Sequence, residues 1–343
     1  MKLGFRYYGN KDKIPLQYIA EIPSVETIVS ALYDKKPGEK WDEESLLALK
    51  EKANKAGLAF EVVESIPVSE EIKLGGPLRD AHIDAFLHNL ELCGKVGVKV
   101  VCYNFMPVFD WLRTDMDYKN EDGSVSLAYI AEHFKTVDPH NLHLPGWDES
   151  YSQEELEALL KAYEKVGHKE LFGNLVYLLK KAMPICDKYN ISLAIHPDDP
   201  PWDVFGLPRI VSNEKDIDAL LAAVDNVHNG LTLCTGSLGA GRCNDIPYLA
   251  DKYSKMGRIH FVHLRNITFL GDDGSFKESG HQKGDLDLPL VVENLVKNGF
   301  DGYVRPDHGR GVFGELPSGG YGLYDRALGA SYIAGLFAMA ERK

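Results

Sequence analysis

The chain has 343 residues, of which 44% are hydrophobic and 26% charged, a composition typical of a folded globular protein with a large core. Its 38 basic and 51 acidic residues give a formal net charge of −13, which argues against nucleic acids and anionic membrane surfaces as partners. The five cysteines form no CxxC pair, and no apolar run is long enough to span a bilayer. We therefore expect a protein of the reducing cytoplasm without a disulfide framework.

Short apolar segments alternate with helix-length segments along the whole sequence. The predicted strands are 3–8, 27–32, 59–65, 98–105, 191–196, 230–235, 259–265 and 302–306. The predicted helices are 15–22, 43–57, 78–97, 171–190, 214–226, 245–257, 285–299 and 324–342. Eight parallel strands with crossover helices predict one α/β domain over residues 1–343, a (β/α)8 TIM barrel. An open doubly wound sheet is the alternative, although no GxGxxG follows the first strand, and we expect no nucleotide cofactor.

Residues 109–169 interrupt this alternation after the fourth predicted strand. The segment is rich in Asp, Trp, Pro and Gly, and a structureless loop of that length is uncommon in a compact domain. We therefore expect small helices within it, at 126–134 and 153–166. Because it follows a strand, we expect it at the catalytic end of the barrel, as a lid or as a contact between subunits of a homo-oligomer. A surface elaboration without a catalytic part is the alternative.

Four side chains that can bind metals stand at the predicted carboxyl ends of the last four strands. They are His196, Cys234, His263 and Asp307. Strand alternation turns each of them towards the barrel interior, opposite the apolar face that meets the helices. Each residue alone has a structural explanation, such as core packing for the cysteine, but such a cluster is costly to bury unless its members share a cation. The mixed N, S and O donors favour Zn²⁺, Fe²⁺ or Mn²⁺ over Mg²⁺ or Ca²⁺.

Other polar residues at the same end of the barrel are candidates for substrate contact. They are Arg6, Asn104, Arg265, Asn266, Arg305 and His281. Arginines there can bind a carboxylate through two hydrogen bonds, and salt bridges within the barrel wall are the alternative. Four ligands that fill a tetrahedron would suit structural zinc, whereas a six-coordinate ion leaves two positions for a chelating substrate.

Several strings of the sequence are long enough to be specific for a family. They are Phe5-Arg-Tyr-Tyr8, Val101-Cys-Tyr-Asn-Phe-Met-Pro-Val-Phe-Asp-Trp111, Ile195-His-Pro-Asp-Asp-Pro-Pro-Trp202, His263-Leu-Arg-Asn266, Arg305-Pro-Asp-His-Gly-Arg310 and Gly320-Tyr-Gly-Leu-Tyr-Asp-Arg-Ala-Leu-Gly329. Together they resemble the mannonate dehydratases of hexuronate degradation, in the xylose-isomerase-like barrel group. This resemblance, which spans essentially the whole chain, implies dehydration of the sugar acid D-mannonate to 2-keto-3-deoxy-D-gluconate plus water. It implies Mn²⁺ or Fe²⁺ as the cofactor, bound by the four ligands above. It also implies Tyr321 as the catalytic tyrosine, with Tyr324 as the alternative register.

Such a dehydration requires a base for the proton next to the carboxylate and an acid for the hydroxyl on the next carbon. We expect Tyr321 and His308 to carry these protons, with Asp307 as a ligand and accessory base. A metal ion would neutralise the charge that forms on the substrate carboxylate.

Three other functions compete with this hypothesis. A metal-dependent sugar isomerase or epimerase would use the same barrel, but its site relies on more carboxylate ligands, and Cys234 is unusual for it. A DNA-repair nuclease of this barrel type would need a basic face, against which the net charge of −13 argues. A non-catalytic sugar-acid-binding protein would not need open metal positions beside proton-transfer groups.

Overall fold

Eight parallel strands close into a barrel in this computed structural model, which describes residues 1–137, 151–315 and 318–342. Around the barrel the strands are β1 (Lys2–Arg6), β2 (Val25–Ser30), β3 (Ala59–Glu64), β4 (Val100–Tyr103), β7 (Ser192–Ile195), β8 (Asn229–Cys234), β9 (Ile259–Leu264) and β12 (Tyr303–Pro306). The last strand pairs with the first, Tyr303 opposite Lys2, so the barrel has no free edge. The predicted (β/α)8 barrel is confirmed, and the open doubly wound sheet is wrong.

Helices alternate with the strands of the barrel. They are α1 (Leu16–Ala20), α2 (Glu43–Lys55), α3 (Glu70–Leu74), α4 (Arg79–Lys95), α7 (His168–Tyr189), α8 (Glu214–Ala223), α9 (Thr235–Ala240), α10 (Ile246–Lys255), α11 (Leu288–Lys297) and α12 (Tyr324–Ala340). The eight predicted helices are all present, with small shifts at their ends. Helices α3 and α9 were not predicted, because five or six residues are too few to show a helical period. Helix α9 also contains two glycines, which disfavour helix formation.

The insertion after β4 and the segment after β9 together build a second, antiparallel sheet. Its strands, in order, are β10 (Asn266–Phe269), β11 (Phe276–Ser279), β6 (Val125–Tyr129) and β5 (Asp115–Lys119). Helices α5 (Ala131–Lys135) and α6 (Gln153–Tyr163) complete the described part of the insertion. The helix predicted at 153–166 is confirmed. The one predicted at 126–134 is wrong over its first half, because β6 finds partners in β5 and β11.

The interior of the barrel is apolar below the candidate site. Its buried side chains are Val29, Val62, Val100, Cys102, Ala194, Phe261 and Tyr303. Alternation along the strands places the next inward-facing residues above this layer, so that His196 follows Ala194 and His263 follows Phe261. The rings of Phe261 and His263 meet edge to face, with centroids 4.6 Å apart. The candidate site therefore rests on a hydrophobic floor. Among the described residues, no helix is both long and apolar enough to cross a membrane.

Candidate active site

The four predicted ligands meet at the carboxyl ends of β7, β8, β9 and β12. The donor atoms of His196, Cys234, His263 and Asp307 all lie within 4.8 Å of one another. Sγ of Cys234 lies 3.5 Å from Oδ2 of Asp307, and the two imidazole centroids are 5.1 Å apart. Strand register produces this arrangement, because Cys234 stands opposite His263 in the pairing of β8 with β9.

One imidazole nitrogen among these groups is free to bind a cation. Nδ1 of His263 is buried and has no hydrogen-bond partner among the described residues, and it points towards Oδ1 of Asp307, 3.9 Å away. On the other side of the ring, Nε2 accepts from Nε of Arg305 at 3.1 Å and lies 3.4 Å from Oε2 of Glu64. In the other tautomer Nε2 donates to Glu64 and leaves the lone pair of Nδ1 for an ion, as is common where a carboxylate lies behind a metal-binding histidine. Likewise, Nδ1 of His196 lies 2.8 Å from the carbonyl oxygen of Pro197, which leaves its Nε2 for the same role.

The protonation states of Cys234 and His196 also suit a metal site. Burial raises the pKa of the Cys234 thiol, but the Arg265 guanidinium and His196 outweigh burial and hold this pKa well below its usual range. The hydroxyl of Ser237 donates to Sγ at 3.0 Å. Burial lowers the pKa of His196, but the neighbouring Cys234 thiolate raises it to about 9. Without a metal, the thiolate and the imidazolium form an ion pair that a divalent cation can replace.

Asp307 is held between two arginines. Nη1 of Arg305 lies 2.8 Å from Oδ1, and Nε of Arg265 lies 2.9 Å from Oδ2. Burial raises the pKa of Asp307, but the positive charges around it, with Arg305 the strongest, hold the pKa well below its usual range. Asp307 is therefore well prepared as an anionic ligand and is a weak proton acceptor.

A carboxylate that the sequence reasoning missed, Glu64 at the end of β3, organises one side of the site. Its two oxygens accept from Arg305 at 3.0 and 2.8 Å, and it also pairs with Arg6. Burial raises the pKa of Glu64, but Arg305 and Arg6 bring it well below the usual range. Arg305 and Arg6 therefore form salt bridges within the barrel wall, which was the alternative to substrate contact. Glu64 ends its strand as the four ligands end theirs, so the same signal could have identified it.

A second buried network lies on the opposite side and includes residues from the antiparallel sheet. Arg265 donates to Asp199 at 2.5 Å and to Glu278 at 2.8 Å. Arg113, from the insertion, bridges the same two carboxylates at 2.8 Å each. Glu278 also lies 2.6 Å from Nδ1 of His308. The sequence reasoning missed Arg113 and Glu278, because their pairing depends on a contact between the insertion and the segment after β9.

The structure separates the two candidate tyrosines. The ring of Tyr321 lies edge-on to His308, with centroids 5.0 Å apart, and edge-on to Tyr8 at 5.2 Å. Burial, followed by the charge of Asp307, raises the pKa of Tyr321 to about 12. Tyr324 is 48% exposed at the start of α12. Tyr321 therefore lies beside His308, and Tyr324 lies at the surface.

Two of the residues predicted to contact substrate, Asn266 and His281, form hydrogen bonds with backbone groups. The amide of Asn266 donates to the carbonyl oxygens of His281 and Leu286 at 3.0 Å, and its oxygen accepts from the N–H of Leu286 at 3.0 Å. The ring of buried His281 bonds to the carbonyl oxygen of Leu264 at 3.0 Å through Nε2. These contacts shape the segment after β9.

Two half-buried side chains follow β4 at the catalytic end. The oxygen of Asn104 accepts from the N–H of Met106 at 3.3 Å, a bond that does not use the amide donors of Asn104. The ring of Trp111, which the sequence reasoning did not single out, meets His308 edge to face at 5.6 Å. Both residues belong to one of the strings quoted above, 101–111.

Comparison with known proteins agrees with this geometry. The family model described as D-mannonate dehydratase (UxuA) matches residues 1–343. The chain is 46% identical over 341 residues to mannonate dehydratase 2 of Halalkalibacterium halodurans, covering 98% of this chain and 99% of the relative. It is 47% identical over 356 residues to mannonate dehydratase of Thermotoga maritima, covering 100% and 98%.

Two solved structures differ in how closely they resemble the chain. The crystal structure of mannonate dehydratase from Streptococcus suis serotype 2 matches with a TM-score of 0.93 and 41% identity, covering 100% of this chain and 95% of that one. A D-psicose 3-epimerase structure matches with a TM-score of 0.58 but only 12% identity, covering 100% of both chains. The likeness to the epimerase concerns the fold alone.

Proposed function

The chain belongs to the D-mannonate dehydratase family, a family of metal-dependent hydro-lyases, and we propose how its residues carry out the removal of water from D-mannonate. The observation that carries the proposal is the convergence of four donor side chains within 4.8 Å, including the unpartnered Nδ1 of His263. The competing isomerase or epimerase reading has only the shared barrel in its favour.

We assign the cofactor to His196, Cys234, His263 and Asp307, and we propose that it is Mn²⁺ or Fe²⁺. One thiolate, two imidazoles and one carboxylate suit a divalent transition ion better than Mg²⁺ or Ca²⁺. When bound, the ion neutralises the negative charge that develops on the substrate carboxylate.

His308 is the proposed base. Glu278, 2.6 Å from Nδ1, accepts the proton of that nitrogen and so fixes the tautomer in which Nε2 has a free lone pair. Nε2 then takes the proton from C2 of D-mannonate. Because Asp307 is paired with two arginines, we assign it to metal binding and no longer expect it to act as an accessory base.

Tyr321 is the proposed acid. Its pKa of about 12 means that the phenol carries its proton at neutral pH. As the C3–O bond breaks, the hydroxyl leaves as water with the proton of Tyr321, and the resulting enol becomes the 2-keto acid. Solvent then returns a proton to the phenolate and removes one from His308. The proximity of the two rings, 5.0 Å between centroids, supports their action on adjacent carbons.

We propose separate roles for the other polar residues. Arg265 and Arg305 are assigned to holding Asp307 in its ionised form, since both contact its carboxylate. Arg6, which also pairs with Glu64, and Asn104 remain the proposed substrate contacts at the ends of β1 and β4.

We propose that residues 1–343 form one domain in which the insertion 109–169 covers the site. The contact of Arg113 with Asp199 and Glu278 supports this role, since it makes the insertion part of the buried charge network. Residues 138–150 of the insertion lie outside the described residues. The homo-oligomer and the cytoplasmic location remain predictions.

The direct test is to incubate the protein, loaded with Mn²⁺ or with Fe²⁺, with D-mannonate and to measure the 2-keto-3-deoxy product. We expect turnover that a chelator abolishes and either ion restores. Exchange between aldose and ketose sugars without the keto-deoxy product would support the isomerase alternative. In deuterated water, Tyr321→Phe should retain exchange of the C2 proton, while His308→Asn should lose it; the reverse pattern would exchange the two assigned roles.

A further inference from the structure

Tyr321 lies in a segment after β12, here called the Tyr321 segment, of which residues 309–315 and 318–324 are described. Hydrogen bonds join distant parts of this segment. The N–H of Gly309 donates to the carbonyl oxygen of Gly320 at 2.8 Å. At the other end, the carboxylate of Glu315 accepts from the N–H groups of Leu323 and Tyr324 at 2.7 and 3.0 Å. Tyr321 follows directly after the closure at Gly320, so its position depends on how that glycine is held.

The insertion contacts this segment along its outer side. Val125, the first residue of β6, exchanges two backbone hydrogen bonds with Gly311, at 3.0 and 2.8 Å. Arg310 pairs with Asp325 at 3.0 Å and reaches Asp122 of the insertion at 3.2 Å. The Tyr321 segment is therefore attached to the insertion as well as to the barrel.

Gly320 packs tightly between Leu127 of the insertion and His308. Gly320 has φ +81°, and a Cβ placed there would lie 3.0 Å from Cβ of His308 and 3.1 Å from Cδ1 of Leu127. At the preceding glycine, Gly319, a Cβ would lie 3.5 Å from Cζ2 of Trp111, in ordinary van der Waals contact. The backbone before Tyr321 thus fills a narrow space whose outer wall is Leu127.

We propose that Leu127 is a positioning residue for Tyr321. By packing on Gly320, Leu127 keeps the backbone against His308 and so fixes the separation of the two groups that move protons. The inference rests on the roles proposed above for Tyr321 and His308. If Leu127 has this role, the insertion takes part in catalysis. A surface elaboration, the alternative for residues 109–169, would have no such part. Leu127 lies on β6 and the metal ligands lie at the barrel strands, so its loss should leave metal binding intact.

The test compares two equivalent truncations in the insertion. Leu127→Ala opens space beside Gly320, and a small displacement of a catalytic group is enough to slow catalysis strongly. We expect kcat to fall about tenfold or more, with KM and bound Mn²⁺ within about twofold of the wild type. Leu127→Met conserves volume and should restore kcat. Leu112→Ala is the matched control, because Leu112 is similarly buried (1% exposed, against 2% for Leu127) but packs with Tyr129 and Phe276.

Each outcome has a defined meaning. An unchanged kcat in Leu127→Ala, or an equal loss in Leu112→Ala, overturns the inference, the second because it would reflect general loosening of the insertion. If Leu127→Ala does not fold, the smaller truncation Leu127→Val must show the same split between kcat and KM, and its absence likewise overturns the inference. A wild type without product overturns the proposed function, and a fully active Tyr321→Phe removes Tyr321 from the mechanism; both results are seen before the Leu127 variants are compared.

Discussion

Oε1 of Glu278 lies 2.6 Å from Nδ1 of His308, and the two residues come from different sheets. Glu278 belongs to β11 of the antiparallel sheet, while His308 follows β12 of the barrel. A carboxylate behind an imidazole decides which nitrogen carries the proton and which way the ring faces. The antiparallel sheet therefore sets the state of a residue at the centre of the barrel.

Replacing Glu278 with Gln tests this relationship. The amide can present a donor as well as an acceptor to Nδ1, so it no longer enforces one tautomer, and we expect kcat to fall about a hundredfold. KM and bound metal should change much less. Glu61→Gln is a control for the chemical change, because Glu61 forms a partly exposed ion pair with Lys2 at 2.6 Å, away from the candidate ligands, and should keep wild-type kcat. Equal rates for Glu278→Gln and the wild type would contradict the orienting role.

The ionised carboxylate of Glu278 should stabilise the folded protein, and this stabilisation should be lost in acid. Burial raises the pKa of Glu278, but His308, Arg265 and Arg113 outweigh burial and lower the pKa from its usual 4.5 to about 2. Because the folded-state pKa is depressed, the contribution is present above pH 4.5 and is lost as the pH falls towards 2. This lowering of the pKa corresponds to about 3 kcal/mol of folding free energy. Urea unfolding between these pH values should show a flatter decline in stability for Glu278→Gln than for the wild type; parallel curves would refute the assignment.

Metal affinity should rise with pH. Without metal, the Cys234 thiolate raises the pKa of His196 to about 9 despite burial, so His196 must release a proton to become a ligand. Below pH 9, each pH unit should strengthen Mn²⁺ binding about tenfold. Calorimetry at pH 6.5 and 7.5 in buffers of different ionisation enthalpy measures both the affinity and the proton release.

Cys234→Ser provides the control for that experiment. The hydroxyl is a poorer ligand and removes the negative charge beside His196, so Mn²⁺ binding should weaken and its pH dependence should diminish. An unaltered metal content by elemental analysis would exclude Cys234 from the ligand set.

The two tyrosines give a matched pair of variants. Tyr321→Phe removes the proposed acid and should abolish turnover without changing metal content, because no assigned ligand is altered. Tyr324→Phe makes the same chemical change on a residue that is 48% exposed, and it should retain wild-type kcat. Steady-state assays on both proteins decide between the registers, since the opposite result would assign the acid to Tyr324.

The convergence of the four candidate ligands was predictable because it follows from local properties of the strands. Alternation decides which side of a strand a residue faces, and parallel strands bring their carboxyl ends to one rim, so His196 and Cys234 are expected to converge. The charged residues that pair with Arg265 and His308 were harder to predict from the sequence. Arg113 and Glu278 are separated by 165 positions and meet only because β6 pairs with β11. That pairing also explains the strand at Val125–Tyr129, where local sequence favoured a helix.

The apolar floor described above has a consequence for traffic through the enzyme. Phe261 and its neighbours block the route from the amino end of the barrel, directly below His263. D-Mannonate and the keto acid therefore have to pass through the opposite, carboxyl end of the barrel, where Trp111 and Tyr321 lie beside His308. Side chains at that end can thus affect substrate arrival and product departure as well as proton transfer.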